Sequence, residues 1–520
     1  MRSAVTTDER DGPVIARRPE PGVPRTYAFP PVSTVTLPNG LTILCADLPG
    51  RPLVSASMVL PRGAADEPAD AAGSAVLAAR SMTEGTQRYD AVALIEASER
   101  LGATIHAEAG WDATTVGVEV PASRLEPALA LLAEVLLRPT FPGEEVDRLR
   151  DERLNDLLQA QADPRRRAEE TFIGTIYAPG SPYHRPAGGT RPTVERLTVD
   201  DVRAAHGRIL DPARATFVVA GDLGGQDVGA IAERSFGGWP IPTQPGGPAD
   251  IVDGPASAGR VVRVVHRPGS VQTEIRIGHV GLPRRIADFH AVSVMSAILG
   301  GLFNSRLNMR LREDKGYTYG AGAGFDLRRA AGPFTARAAV NTEVTVPAIV
   351  DTIAELDRMR DTQVSPEELA AARDFLVGVF PLRFETAGAV VGALSGLAVH
   401  GLPLAELVDY RSAIEAVDID AVAAAARAHL HVDRAAIVLV GDLDAFGPAL
   451  EAAGLGTLVI DRDQEPSAAH AADGPDAAVP GPADDEPDQG PTAGAEDPDL
   501  PGTADDPASA DSASAETPSG

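Results

Sequence analysis

Residues 299–325 read LGGLFNSRLNMRLREDKGYTYGAGAGF and set Arg312 seven positions ahead of Tyr319, across what reads as a helix, a turn and a strand. A guanidinium that keeps its charge and a phenolic O–H are both hydrogen-bond donors. Held together, such a pair grips a carbonyl oxygen and stabilises the oxyanion it becomes; losing one donor of this kind costs about 2.7–4 kcal/mol. Gly316 is expected to supply the left-handed turn that ends the helix and re-aims the chain into the strand carrying Tyr319. Taken alone, Arg312 reads better as a surface helix arginine paired with a neighbouring acid; the spacing to Tyr319 and the flanking glycines turn the reading toward a donor. Tyr317 is an alternative donor on the same strand. The glycine run is not a phosphate loop, because no Gly-Lys-Ser/Thr follows it.

The elements that must position this pair repeat along the chain. Residues 197–223 align without gaps to 417–443, at an offset of 220 and with eleven of 27 positions identical, among them Asp200/Asp420, Arg214/Arg434 and a closing Gly-Asp-Leu. The same offset pairs Pro127 with Pro347, each near the first turn of an amphipathic helix. Val54 to Leu60 and Thr114 to Val120 read as strands. Leu129, Leu132 and Leu136 mark one helix face, as do Ile349, Ile353 and Leu356. Ser365-Pro366-Glu367-Glu368 has the form of a capping box. Blocks of strands followed by blocks of helices predict an α+β fold of two homologous domains. Each is an antiparallel-rich sheet packed with helices, and the two together form a clamshell. The expected division is a disordered leader over 1–29, an N-terminal domain over 30–240, a Pro/Gly-rich linker over 241–259, a C-terminal domain over 260–462 and a disordered acidic tail over 463–520.

Composition narrows the function. Residues 465–520 hold 14 acidic residues and no Lys or Arg, half of the net charge of −28. The acidic balance argues against nucleic acid or an anionic membrane as partner. No apolar run approaches the ~20 residues of a membrane span. MRSAVTTDERDGPVIARR lacks the apolar stretch of a signal peptide, so a cytoplasmic location is expected. Cys45 is the single cysteine, expected to be buried in a strand, which excludes an internal disulfide and thiolate metal clusters. His429 and His431 are the nearest approach to a metal pair and read as structural. Trp111 reads as core.

In sequence order the chain carries Leu37-Pro38-Asn39-Gly40-Leu41, Gly63, Glu67, Gly73, Glu84-Gly85-Thr86, Leu137-Arg138-Pro139-Thr140-Phe141, Pro182-Tyr183, Val219-Ala220-Gly221-Asp222 and the 299–325 segment. Together, on a duplicated body, these landmarks resemble the pitrilysin/insulinase-like metallopeptidases, in particular the two-domain bacterial form that is similar to the mitochondrial processing peptidase. The resemblance implies an H-x-x-E-H zinc motif before Gly85-Thr86. Here that place is taken by Val76-Leu77-Ala78-Ala79-Arg80. Val76 and Arg80 stand at the two histidine positions, Ala79 at the general-base glutamate, and Asp156 near the distant third ligand. Valine and alanine have no lone pair to give, and a guanidinium repels a cation. No metal and no cofactor is therefore expected in this chain. Arg80 is expected to fill the vacated place, paired with either Asp156 or Glu152. His106 stands where the family lines its peptide groove, and is either a groove contact or an ordinary strand histidine.

Arg312 and Tyr319, by contrast, match the family's arginine and tyrosine in L-R-E-x-x-G-x-x-Y form. The resemblance thus implies a non-catalytic, zinc-less subunit of a heteromeric peptidase. A zinc-bearing sibling would hold the metal and activate water. Arg312 and Tyr319 would serve the peptide substrate in trans. A peptide-binding or scaffold subunit with no part in catalysis is the other reading that the resemblance leaves open.

Overall fold

A computed structural model describes residues 27–50, 52–243, 251 and 254–462. The acidic tail and nearly all of the expected leader lie outside the described residues. Two six-stranded sheets organise the chain. The first holds β1 (Val32–Thr36), β2 (Thr42–Asp47), β3 (Leu53–Leu60), β4 (Thr104–Ala109), β5 (Thr114–Pro121) and β6 (Thr216–Gly221), in the order β1-β2-β6-β3-β5-β4. The second holds β7 (Val261–His266), β8 (Gln272–Val280), β9 (Ala321–Phe325), β10 (Pro333–Asn341), β11 (Ala436–Gly441) and β12 (Thr457–Arg462), in the order β12-β7-β11-β8-β10-β9. Strand β6 runs parallel to β2, and β11 and β12 run parallel to β7. The other pairings are antiparallel. This is the expected α+β arrangement.

The internal repeat is visible element by element. The Val199–Ile209 and Ile419–His429 helices, and strands β6 and β11, stand 220 residues apart at both ends. As continuous apolar runs, β6 and β11 sit inside their sheets, buried on both faces. Val54 faces Val120 in the first sheet, and Thr273 faces Val340 in the second, so one residue has been inserted between the strand pairs of the second copy. The edges diverge: β1 enters from the N-terminal side and antiparallel, whereas β12 enters from the C-terminal side and parallel. The capping box at Ser365 forms, with Ser365 and Glu368 each accepting from the other's backbone N–H at 3.1 and 2.8 Å.

Two expectations are corrected. The loose leader does not reach residue 29, because Phe29 is buried against the Phe384 ring at 5.0 Å and Tyr27 stacks on the same ring. Nor does Tyr319 lie in a strand. The Thr318 hydroxyl and the backbone of Gly320 bond to each other, closing a turn, and Asn308 Oδ1 accepts from Ala321 N at 2.8 Å, so β9 begins at Ala321.

Each sheet is covered by a helix from the other half of the chain. The Pro164–Ile176 helix packs on β8 and β11, where Phe172 and Ile176 meet Ala436 and Val438. The Ala387–His400 helix packs on β3 and β6, burying Val390, Leu394 and Leu397 with Val59, Val218 and Ala220. Its sequence, AGAVVGALSGLAVH, is apolar nearly all round, as a helix between two layers must be. Among the described residues no single helix is long and apolar enough to cross a membrane.

Polar contacts complete the clasp. Arg276 on β8, only 2% exposed, bonds Glu169 of the Pro164–Ile176 helix at 2.7 Å and Glu274 at 2.8 Å. Tyr177 donates to the carbonyl of Ala331 at 2.8 Å. Asp112 accepts from Tyr183 and from Arg329 N, and the Arg329 guanidinium reaches Asp66 at 3.2 Å. Arg328 lies 4.7 Å from the ring centres of both Trp111 and Tyr183. Trp111 is thus a partly buried member of the seam between the halves.

Because the halves share their covering helices, the chain should unfold in one cooperative transition. Arg276→Ala should lower its stability by about 3–5 kcal/mol, the cost of breaking a buried ion pair from one side, at the low end because Glu169 stays half exposed. Urea unfolding followed by both fluorescence and circular dichroism checks this: two separated transitions, or an unchanged midpoint, would contradict the clasp.

Candidate functional site

The positions where the resemblance expects metal ligands fall on the Ser74–Ser81 helix and on the Gly143–Ala162 helix packed against it. The first helix is started by Gly73, whose φ of 99° lies in the region open to glycine; an added Cβ would also come 2.9 Å from the carbonyl oxygen of Gly188. Glu67 caps it from outside. Its side chain, 1% exposed, accepts from the backbone N–H groups of Gly73 and Ala75 and from the Ser74 hydroxyl. Burial pushes the Glu67 carboxyl up to about 7, against the pull of those N–H groups and of Arg185 and Arg208.

On this anchored helix the residues at the expected ligand positions do not offer metal-binding chemistry. Ala79 is buried and Val76 half-buried, and neither carries a donor atom. Arg80 points outward and bonds Glu152 at 3.0 Å, which decides between its two expected partners. Asp156 stands one turn further along and is held by Arg153 and Arg166. Burial alone would raise the Asp156 carboxyl, but the two guanidiniums hold it below the ordinary carboxylate range. Arg148 gathers the remaining carboxylates of the neighbourhood, bonding Glu84, Glu145 and Glu152. The residues present do not fit zinc: two positions offer no ligand, one is cationic, and the carboxylates near them are engaged by arginine.

The other half of the site is built on a broken helix. The Phe289–Ser296 helix passes into a π-helical turn over Ala297–Gly301, and a second π-helical stretch covers Asn308–Asp314. Gly316, at φ 63°, turns the chain, as expected. Arg312 lies over the Phe303 ring, with 4.5 Å from Cζ to the centroid, and its Nε is 3.5 Å from the Glu313 carboxylate. A cation stacked on an aromatic face keeps its outer N–H groups free to donate. Tyr317 packs against the core and Tyr319 stands 93% exposed, so of the two tyrosines it is Tyr319 that presents its phenol.

His106 lies on β4, the edge of the first sheet, exposed and folded over Gly117, which it faces across the strands. His429 bonds Asp288 at 2.7 Å and the backbone of His431 donates to His279, so both read as structural. His266, Asp442 and Asp444 also gather their ligand atoms within 4.8 Å, a grouping invisible in the sequence because it joins the end of β7 to a distant helix start. Asp442 caps that helix and also accepts from Gly269 N, which accounts for its place.

A family model described as insulinase, peptidase family M16, matches residues 42–183, and one described as the peptidase M16 inactive domain matches residues 196–376. The chain belongs to peptidase family M16. An uncharacterized zinc protease of Mycobacterium leprae is 27% identical over 309 residues, covering 59% of this chain and 69% of its own. The non-peptidase homolog YmxG of Helicobacter pylori is 23% identical over 338 residues, covering 64% of this chain and 76% of its own. Among solved structures, a peptidase M16 inactive domain from Pseudomonas fluorescens superimposes with a TM-score of 0.73 at 26% identity, over 79% of this chain and 98% of that one. A protease from Helicobacter pylori gives 0.75 at 19% identity over 80% and 100%, a likeness of fold.

The Ser74–Ser81 helix is thus held by Glu67 rather than by Arg80. Glu67→Ala, leaving two buried N–H groups unpaired, should cost about 1–3 kcal/mol, whereas Arg80→Ala, at a half-exposed pair, should cost about 0–1 kcal/mol. Chemical denaturation of both variants checks the order. A carboxyl whose folded pKa is raised is favoured protonated. Relative to Glu67→Gln, the wild type should therefore lose stability as pH rises from about 4.5 through about 7. A difference that is flat across that window would contradict the burial of this acid.

Proposed function

We propose that this M16 chain is the zinc-less subunit of a two-chain peptidase, lending Arg312 and Tyr319 to a peptide carbonyl held against a zinc-bearing sibling. One observation carries the reading: the two donors are kept free while the metal positions are filled. Tyr319 is exposed, and Arg312 rests on an aromatic shelf with one weak neighbour, Glu313. Arg80 and Asp156 are spent on ion pairs within the chain. An arginine kept only for structure tends to be paired as Arg276 or Arg306 is, with short bonds to carboxylates.

In this reading both groups donate to the carbonyl oxygen as it gains negative charge. The guanidinium supplies charge and the phenol supplies direction, and neither needs to change protonation state. Water activation belongs to the sibling. The peptide would add as a strand to an open sheet edge, a backbone-directed mode that tolerates many sequences. The first sheet ends at β4 and the second at β9, and β4 carries His106 facing outward. The name non-peptidase homolog borne by one relative agrees with a chain that hydrolyses nothing unaided.

Co-expression with a zinc-bearing M16 chain from the same source tests the proposal. Arg312→Ala and Tyr319→Phe should each lower turnover of the pair by about 10²–10³-fold, with complex mass by light scattering unchanged. Full turnover in both variants would hand the case to a scaffold or peptide-binding role without catalysis.

A further inference from the structure

The Pro164–Ile176 helix turns one stripe toward the second sheet. Arg165, Glu169, Phe172 and Ile176 follow one another at helical spacing, and the last three all contact it. Across from them, Arg337 on β10 stands directly opposite Arg276 on β8 and opposite Gly322 on β9. Residues that face each other across strands share a side of the sheet, so three guanidiniums gather where the helix meets the sheet. Like charges placed directly opposite are unfavourable. Two carboxylates answer them, Glu169 and Glu274, and both are spent on Arg276.

Arg337 is left over. Among the described residues neither it nor the side chain of Arg165 has an ion pair or a hydrogen bond. Arg165 moreover sits in the first turn of its helix, where the backbone dipole disfavours a cation. The Arg337 side chain lies along Gly322, where an added Cβ would come 3.7 Å from its Nε and 3.5 Å from the Gly300 carbonyl oxygen, and Gly324 lies on the same side of β9. Its side chain is exposed to solvent, yet enough protein lies around the guanidinium to desolvate it in part. That enclosure pulls its pKa below the usual guanidinium range; Glu169 opposes the shift, and Arg165 and Arg276 add to it.

We propose that Arg337, flanked by Arg165, forms a carboxylate-binding subsite at the glycine edge of the second sheet, taking an acidic side chain or the C-terminal carboxylate of a bound peptide. The inference rests on the reading that this chain holds peptides, and it adds which peptides are held. A guanidinium fork matches a carboxylate with two parallel hydrogen bonds. The chain as a whole carries a net charge of −28, so its general field repels acidic peptides, and a preference for them has to come from a local site.

Fluorescence anisotropy with the full-length chain at low salt tests this, using three labelled peptides of neutral sequence. One has a free C-terminal carboxylate, one is amidated, and one is amidated with a single internal Glu. At least one carboxylate-bearing peptide should bind about ten-fold tighter than the amidated neutral one, and which of them gains identifies the source of the carboxylate. Arg337→Gln should erase the gain, Arg337→Lys should keep part of it, and Arg165→Gln should reduce it. Arg337→Gln should melt at or above the wild-type temperature, because it relieves the repulsion from Arg276, so loss of binding cannot be ascribed to unfolding. Equal binding of all three peptides, or a preference that survives Arg337→Gln, overturns the subsite and leaves the peptide reading standing. No binding of any peptide by the wild type overturns both.

Discussion

The constraint on which this molecule depends is that neither sheet can bury its face with helices from its own half alone. The Pro164–Ile176 helix closes the second sheet, and the Ala387–His400 helix closes the first. Separating the halves would bare both apolar faces at once and strand the Arg276 guanidinium, which is 2% exposed, away from Glu169. Burial on this scale, about 25 cal/mol per Å² of apolar surface, outweighs anything a single polar contact contributes. The relative placement of the Ser74–Ser81 helix and the 299–325 segment is therefore set by packing far from either of them. The polar seam of Asp66, Asp112, Tyr183 and Arg329 fixes direction more than strength.

That division explains how the fold can stand with no ligand at the positions where the resemblance expects zinc. The Ser74–Ser81 helix takes its start from Gly73 and its cap from Glu67, neither of which is a metal position. Its buried face, through Leu77, Ala78 and Ala79, belongs to the apolar core of the first half. A ligand exchanged for Val76 or Arg80 alters the half-buried or exposed side and leaves those supports alone. The ion pairs that fill the place are of the half-exposed kind that contributes little. They look like the accommodation of a surface, not a substitute for a bound cation.

Much of this was legible before any coordinates. The 220-residue repeat, the paired closing strands, the capping box at Ser365, and the replacement of ligands by Val76, Ala79 and Arg80 depend on local pattern or position count, which a sequence carries directly. What escaped depends on contacts between distant segments. Nothing in AGAVVGALSGLAVH says which sheet it will cover, since an apolar helix suits either. Which of Asp156 and Glu152 pairs with Arg80 was left open by the sequence, because side-chain reach, not spacing, selects among neighbours on a helix face. Tyr319 was expected on the strand that follows the turn at Gly316. A bond from Ala321 N to Asn308 starts the ladder later, and side-chain capture of a backbone N–H leaves no periodic trace.

The electrostatics of the two halves point the same way. Near the expected ligand positions the arginines Arg80, Arg148, Arg153 and Arg166 are each answered by carboxylates of neighbouring turns, so that region is neutralised from within. Against the second sheet, Arg337 and, on the helix from the first half that covers it, Arg165 are not so answered, and Arg312 meets an aromatic ring and the Glu313 carboxylate. Holding cations in an enclosed place costs desolvation, which charges elsewhere in a fold ordinarily offset. Around the Ser74–Ser81 helix that offset is present, and around Arg337 and Arg165 it is not. Positive groups held without internal partners are what a chain needs if the negative charge they are to meet arrives from outside, on a peptide carbonyl or carboxylate.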